Sequence, residues 1–99
     1  MTITMTNNGE KQTVYLSGRL DTAAAAQLEK ELAPIEAQYL TFDFSGLLYI
    51  SAAGLRVLLT KYKKLAEKDA VMVIKNPNAL ITSIFDDIGF SDILTIERD

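Results

Sequence analysis

DFSGLLYISAAGLRVLL, residues 43–59, decides the fold. Just before and into it, Leu40, Phe42 and Phe44 alternate with Thr41 and Asp43, the two-residue period of a strand with one buried face. Ser45-Gly46 reads as a tight turn that ends this strand at Phe44. After the apolar run 47–50, Ser51 is placed to accept a hydrogen bond from the amide of Ala53 or Gly54, so a helix is expected to begin there. Leu55, Leu58, Leu59, Tyr62, Leu65 and Ala66 follow at three- and four-residue spacing, a core-facing stripe. Period two thus gives way to period 3.6 across a few small residues. In open α/β sheets, sites gather at this end of the strands.

On the N-terminal side, Thr2–Thr6 alternates polar and apolar residues. Asn7-Asn8-Gly9 has strong turn chemistry, because Asn and Gly tolerate positive φ. Gln12–Ser17 then forms a second strand with Val14 and Leu16 on one face. The pair is expected to be an antiparallel hairpin, its edge broken up by threonines and Lys11. Gly18-Arg19-Leu20-Asp21 ends the second strand, and Asp21 or Thr22 caps a helix, TAAAAQLEKEL, of high intrinsic propensity. Ala25, Leu28, Leu32 and Ile35 share a face, and Pro34 ends or bends the last turn.

On the C-terminal side, Lys61, Lys63, Lys64 and Lys68 read as a solvated face that favours the helix dipole. Val71–Ile74 is a continuous apolar run, as expected for a strand covered on both faces. Asn76-Pro77-Asn78 opens a third helix with the stripe Leu80, Ile81, Ile84, Phe85 and Ile88, and Gly89 suits its stop. Asp86 and Asp87 oppose that helix's dipole and read as solvated acids; such a local cost can also mark a contact. Ile93–Ile96 is a short last strand. The expectation is an α/β fold: one domain, residues 1–99, a mixed sheet with packed helices in the order β-β-α-β-α-β-α-β.

Composition narrows the function. The chain has 99 residues, a net charge of −3 and neither His nor Cys. That removes thiolate nucleophiles, imidazole bases, disulfides and the usual zinc, copper and iron sites. The acidic balance leaves no footprint for nucleic acid or an anionic membrane. No phosphate-binding glycine motif is present, and no base stands ready to activate a serine. No catalytic residue, cofactor or metal is expected. MTITMTNNGE lacks a signal core, and no apolar run approaches the roughly 20 residues that span a bilayer. A cytoplasmic protein without direct membrane insertion is the expectation.

The chemistry that remains sits at the strand–helix junction. Ala52, Ala53 and Gly54 leave the first helical turn sterically bare, with unpaired amides. Asp43 and Ser45 lie at the neighbouring strand end, and Asp21 caps another helix from the same end of the sheet. These polar groups are expected to converge on one rim, a docking surface and not a catalytic centre.

Gly18-Arg19-Leu20-Asp21, followed by the alanine-rich helix, resembles the G-x-L-D element of the STAS domain family (sulfate transporter and anti-sigma factor antagonist). Asp43-Phe44-Ser45 and then Tyr49-Ile50-Ser51-Ala52-Ala53-Gly54-Leu55-Arg56-Val57-Leu58 resemble that family's D-x-S…(Ser/Asp)-Ser-(Ala/Thr)-G-L signature. The likeness covers nearly the whole chain and is greatest to the small bacterial anti-sigma factor antagonists. It implies partner switching. The unphosphorylated antagonist binds an anti-sigma factor that is also a serine kinase, and the sigma factor is released. The kinase then phosphorylates the second Ser of the signature, and a phosphatase resets the cycle. The implied partner-binding set is Asp21, Asp43, Ser45, Ser51, Ala52, Ala53, Gly54 and Arg56. The family also implies an alternative, an accessory subunit docking on the ATPase of a membrane transporter. The chain departs from the pattern at one place: Ala52 stands where the phosphorylated Ser would be. Three explanations fit: a binding-only member, a Ser→Ala change introduced into the chain, or Ser51 (less readily Ser45) as the acceptor.

Overall fold

Burial alternates along the strands and stays in phase from one strand to the next. In the computed structural model, which describes residues 1–99, the order is β1 (Thr2–Asn8), β2 (Lys11–Leu20), α1 (Thr22–Leu32), β3 (Tyr39–Ile50), α2 (Ala52–Ala66), β4 (Val71–Lys75), α3 (Ala79–Ile88), a 3₁₀ turn (Phe90–Asp92) and β5 (Thr95–Glu97). The five strands lie side by side in chain order. β1 and β2 form the expected antiparallel hairpin, with Thr2 opposite Ser17 and Asn8 opposite Lys11. β2, β3, β4 and β5 run parallel. The mixed sheet and the β-β-α-β-α-β-α-β order are those the sequence predicts.

Val14, Leu16, Leu40, Phe42, Phe44, Met72 and Ile74 are buried on one face of the sheet. Onto it pack Ala24, Ala25, Leu28 and Leu32 of α1, Leu58 and Leu65 of α2, and Ile81 and Phe85 of α3. Phe42, Phe44, Phe85 and Phe90 form a chain of ring contacts, with successive centroids 6.4, 6.3 and 6.0 Å apart. Each such pair contributes about 0.5–1.5 kcal/mol beyond its buried area.

The other face is open. Thr2, Thr4, Thr6, Tyr15, Ser17, Tyr39, Val71 and Thr95 are exposed along it. Val71 is 40% exposed, so β4 is covered on one face only and not on both. The reason lies in the strand order. Each right-handed crossover steps to the next strand in the same direction, which puts all three helices on the same face.

β3 also differs from expectation. Ser45-Gly46 is no turn; the strand continues to Ile50. Its register against β2 shifts between Tyr15 and Ser17 and again between Gly18 and Arg19, so bulges absorb the extra residues. Gly46 is needed at the first shift, because a Cβ there would lie 2.8 Å from the Ser17 Cβ. Pairing with β4 ends at Asp43 and Lys75, so beyond it β3 keeps only β2 as a neighbour.

The helix stripes are narrower than the spacing suggests. Leu55, Leu59 and Tyr62 are half-buried, and Ala66 is exposed, as are Leu80 and Ile88. Lys61 moves the other way. It is only 7% exposed, and its Nζ donates to the carbonyls of Leu32 at 2.9 Å and Ile35 at 2.7 Å. It therefore satisfies the C-terminal end of α1 and is no part of a solvated face. Burial, reinforced by the ammonium groups of Lys64 and Lys68 and opposed by Glu36, holds its pKa below 10.5. Lys61→Met keeps the aliphatic length and removes both bonds. It is expected to cost about 2 kcal/mol, read as a lower urea midpoint at unchanged slope; an unchanged midpoint would show that water replaces the ammonium without loss.

Candidate functional site

β2 and β3 finish level with each other, Leu20 opposite Ile50. The Ser51 amide donates to the Leu20 carbonyl at 2.9 Å. α1 and α2 consequently start side by side. Asp21 has extended backbone, and its Oδ1 accepts from the Ala24 amide at 2.9 Å. Ser51 is also extended, and its Oγ accepts from the Gly54 amide at 3.1 Å. Both are N-caps, each worth about 1 kcal/mol. The amides of Ala52 and Ala53 have no acceptor within the chain.

Ala52 is exposed and Ala53 half-buried, whereas Gly54 is buried. A Cβ on Gly54 would lie 2.7 Å from the Leu20 Cγ and 3.1 Å from the Ile50 Cγ1. Glycine thus lets the first turn of α2 lie directly on the ends of β2 and β3. Arg56, exposed, borders a shallow groove between α1 and α2 together with Thr22, Ala25, Ala26, Ala53 and Val57. The groove is lined mainly by small side chains, so a partner's backbone can come close.

The structure brings Asp21, Ser51, Ala52, Ala53, Gly54 and Arg56 together. Asp43 and Ser45 do not join them, which corrects the expected convergence. β3 runs on past them, and Asp43 lies opposite Tyr15, five residues of β2 below Leu20. That separation is on the order of 15 Å at the rise of a strand. The Asp43 Oδ1 accepts from the Ser45 amide at 2.9 Å, which shapes the bulge. The Ser45 Oγ accepts from the Asn76 Nδ2 at 3.3 Å. Asn76 also holds Asp99, accepting from its amide at 2.9 Å and donating to its Oδ2 at 3.2 Å, while Lys75 pairs with Asp99 at 3.4 Å. These residues form a second polar cluster that ties the C-terminal segment to the β4–α3 loop.

Sequence reasoning missed one member of the rim. The Arg19 guanidinium stacks 4.5 Å from the centroid of the Tyr49 ring. The two are register partners one step before Leu20 and Ile50, so a cation–π pair flanks the helix starts. The available signal was the position of Arg19, two residues before the cap Asp21. No three acidic side chains gather closely enough to hold a metal ion, and no helix is long and apolar enough to cross a membrane.

Two capped helix starts, small exposed residues and a cation–π pair thus share one rim, at the end of a sheet with helices on one face. The model of the STAS domain family matches residues 2–99, and the chain belongs to that family. Among solved structures it is similar to the anti-sigma factor antagonist SpoIIAA in its unphosphorylated form, with a TM-score of 0.80 at 16% identity over 99% of this chain and 88% of that one. An anti-sigma factor antagonist from Mycobacterium paratuberculosis gives a TM-score of 0.88 at 19% identity, over 97% and 84% of the two chains. The STAS domain of a SulP transporter from Vibrio cholerae gives 0.69 at 18% identity, over 93% and 76%. At these identities the likeness is one of fold. No curated protein matches the sequence.

The second cluster has its own pH dependence. Bonding to Asn76, then the charge of Lys75, holds the Asp99 carboxyl below its usual 3.8. A lowered carboxylate pKa means that the folded chain binds the proton less readily than the unfolded one. The contribution is therefore present at neutral pH and lost as the pH falls through the folded value. An NMR titration is expected to place the Asp99 midpoint below 3.8 and to raise it part of the way back in Asn76→Ala, since Lys75 remains; a midpoint insensitive to that change would contradict the assignment.

Proposed function

We propose that the chain is an anti-sigma factor antagonist, which binds a serine-kinase anti-sigma factor through Asp21 and Ser51–Arg56 and so leaves a sigma factor free. The observation that carries this reading is the exposed Ala52 at the first position of α2, flanked by the caps Ser51 and Asp21. In the signature that the sequence resembles, a phosphorylatable serine stands there. A phosphoserine would add about −1.5 to −2 charge and three acceptor oxygens. The domain's own helix dipole tolerates that charge, whereas a partner fitted to a small neutral group does not. With alanine this transition is closed at residue 52, and a phosphatase has no substrate there. The Ser51 oxygen is engaged as the cap of α2, and the Ser45 oxygen is bonded to Asn76, so neither is the preferred substitute acceptor. The chain then acts as a permanent binding form, a regulator and not an enzyme, working in the cytoplasm. Asp43 and Ser45, away from the rim along β3, shape the bulge and the cluster around Asn76 and lie outside the proposed contact.

A second reading is an accessory subunit on the ATPase of a membrane transporter. The missing phosphoacceptor favours it, as does the likeness to a transporter's STAS domain.

Calorimetric titration against the serine-kinase anti-sigma factors of the same genome separates the two. A one-to-one complex is expected, and Ala52→Glu is expected to weaken it more than tenfold, about 1.4 kcal/mol. Binding to a transporter ATPase alone would replace the first reading by the second. Equal affinity of the Glu variant would remove the start of α2 from the interface.

A further inference from the structure

Seven large apolar side chains are exposed, and they fall on two surfaces. Tyr15, Tyr39 and Val71 belong to the open sheet face. Leu48, Leu80, Ile88 and Ile93 lie on α3 or on the segments next to it. Leu80 is 52% and Ile88 48% exposed, with half-buried Ile84 between them. At positions i, i+4 and i+8 these three make one line along α3.

Helix geometry directs that line toward α2. The three helices run the same way on one face of the sheet, and each residue turns a helix by about 100°. On α2, Lys61 points toward α1, whose carbonyls it binds. Leu55, Leu59 and Tyr62 therefore point the opposite way, toward α3. On α3, Thr82 and Asp86 point to the β5 side, where Arg98 donates to Thr82 and Ser91 donates to Asp86. Leu80, Ile84 and Ile88 therefore point back toward α2. By this geometry the apolar side chains of α2 and α3 line the groove between the two helices, Asp87 is exposed on its α3 rim, and Ser83 turns to the side of Thr82 and Asp86.

We propose that a second copy of the chain covers this groove, its α3 lying antiparallel to the first. The stripe is self-complementary under reversal: Ile84 sits at its centre, and Leu80 of one copy meets Ile88 of the other. The charges agree. Asp86 and Asp87 stand at the carbonyl end of their own helix, where no basic residue balances them, and the first turn of α3 carries no acidic residue. An antiparallel neighbour brings Asp87 to that amide end, where Asn78 caps only the Ile81 amide, so each unbalanced carboxylate gains a favourable helix terminus. With a net charge of −3 the copies repel only weakly. The pairing is independent of the antagonist reading above. One helix face covers less than the roughly 1,200–2,000 Å² of a standard interface, so the dimer is weak and transient.

Sedimentation equilibrium from about 10 μM to about 1 mM tests this. The native chain is expected to show a reversible monomer–dimer equilibrium. Leu80→Arg and Ile88→Arg, each at an exposed position and each checked for native circular dichroism and melting, are expected to weaken it at least tenfold. Asp87→Asn is expected to weaken it about fivefold, because the contact occurs twice in a two-fold pair. A chain that stays monomeric at the highest concentration overturns the proposal. So does a dimer that survives both arginine variants, since it must use another surface such as the edge of β1.

Discussion

The candidate site depends on one close contact: the first turn of α2 resting on the ends of β2 and β3. Gly54 permits it, since any side chain there would collide with Leu20 and Ile50. The Ser51–Leu20 backbone bond locks it. Because the two strands finish level, the two helices that leave them start level as well. Asp21 and Ser51 then cap neighbouring helices, and the bare turn Ala52-Ala53 is presented between them. The small residues of the turn and the alanines of α1 follow from the same requirement for close packing.

This geometry explains how a modest surface could serve regulation without catalysis. The caps consume the polar side chains, so little chemistry is left over for a reacting substrate. The free amides and the bare methyl of Ala52 offer shape and a positive dipole end. A partner that fits such a turn reads the size and charge of one residue at its centre. An alanine there gives a fixed answer, and control of binding would then come from the amount of partner or from competition for it.

What could be read from sequence was local. The caps Asp21 and Ser51 were legible because capping depends on residues three positions apart, and the hairpin because Asn7-Asn8-Gly9 dictates its own turn. What could not be read was decided between distant segments. Ser45-Gly46 has turn composition, yet pairing with β2 draws it into a bulged strand. Asp43 and Ser45 are thereby carried away from the rim. Lys61 falls in a run of lysines, and only the carbonyls of Leu32 and Ile35 make its burial favourable. Val71 sits in an apolar run like that of a central strand, but the strand order leaves one face of the sheet without helices. The importance of Ala52 came from the family signature, since its exposure alone marks nothing.

The most direct test is to map the contact itself. With the chain labelled by ¹⁵N and titrated with the serine-kinase anti-sigma factors of the same genome, the amides that shift most are expected to be those of residues 19–24 and 51–57, in two adjacent helix starts. Shifts centred on the open sheet face, or on Asp43 and Ser45 with the helix starts unmoved, would contradict the account.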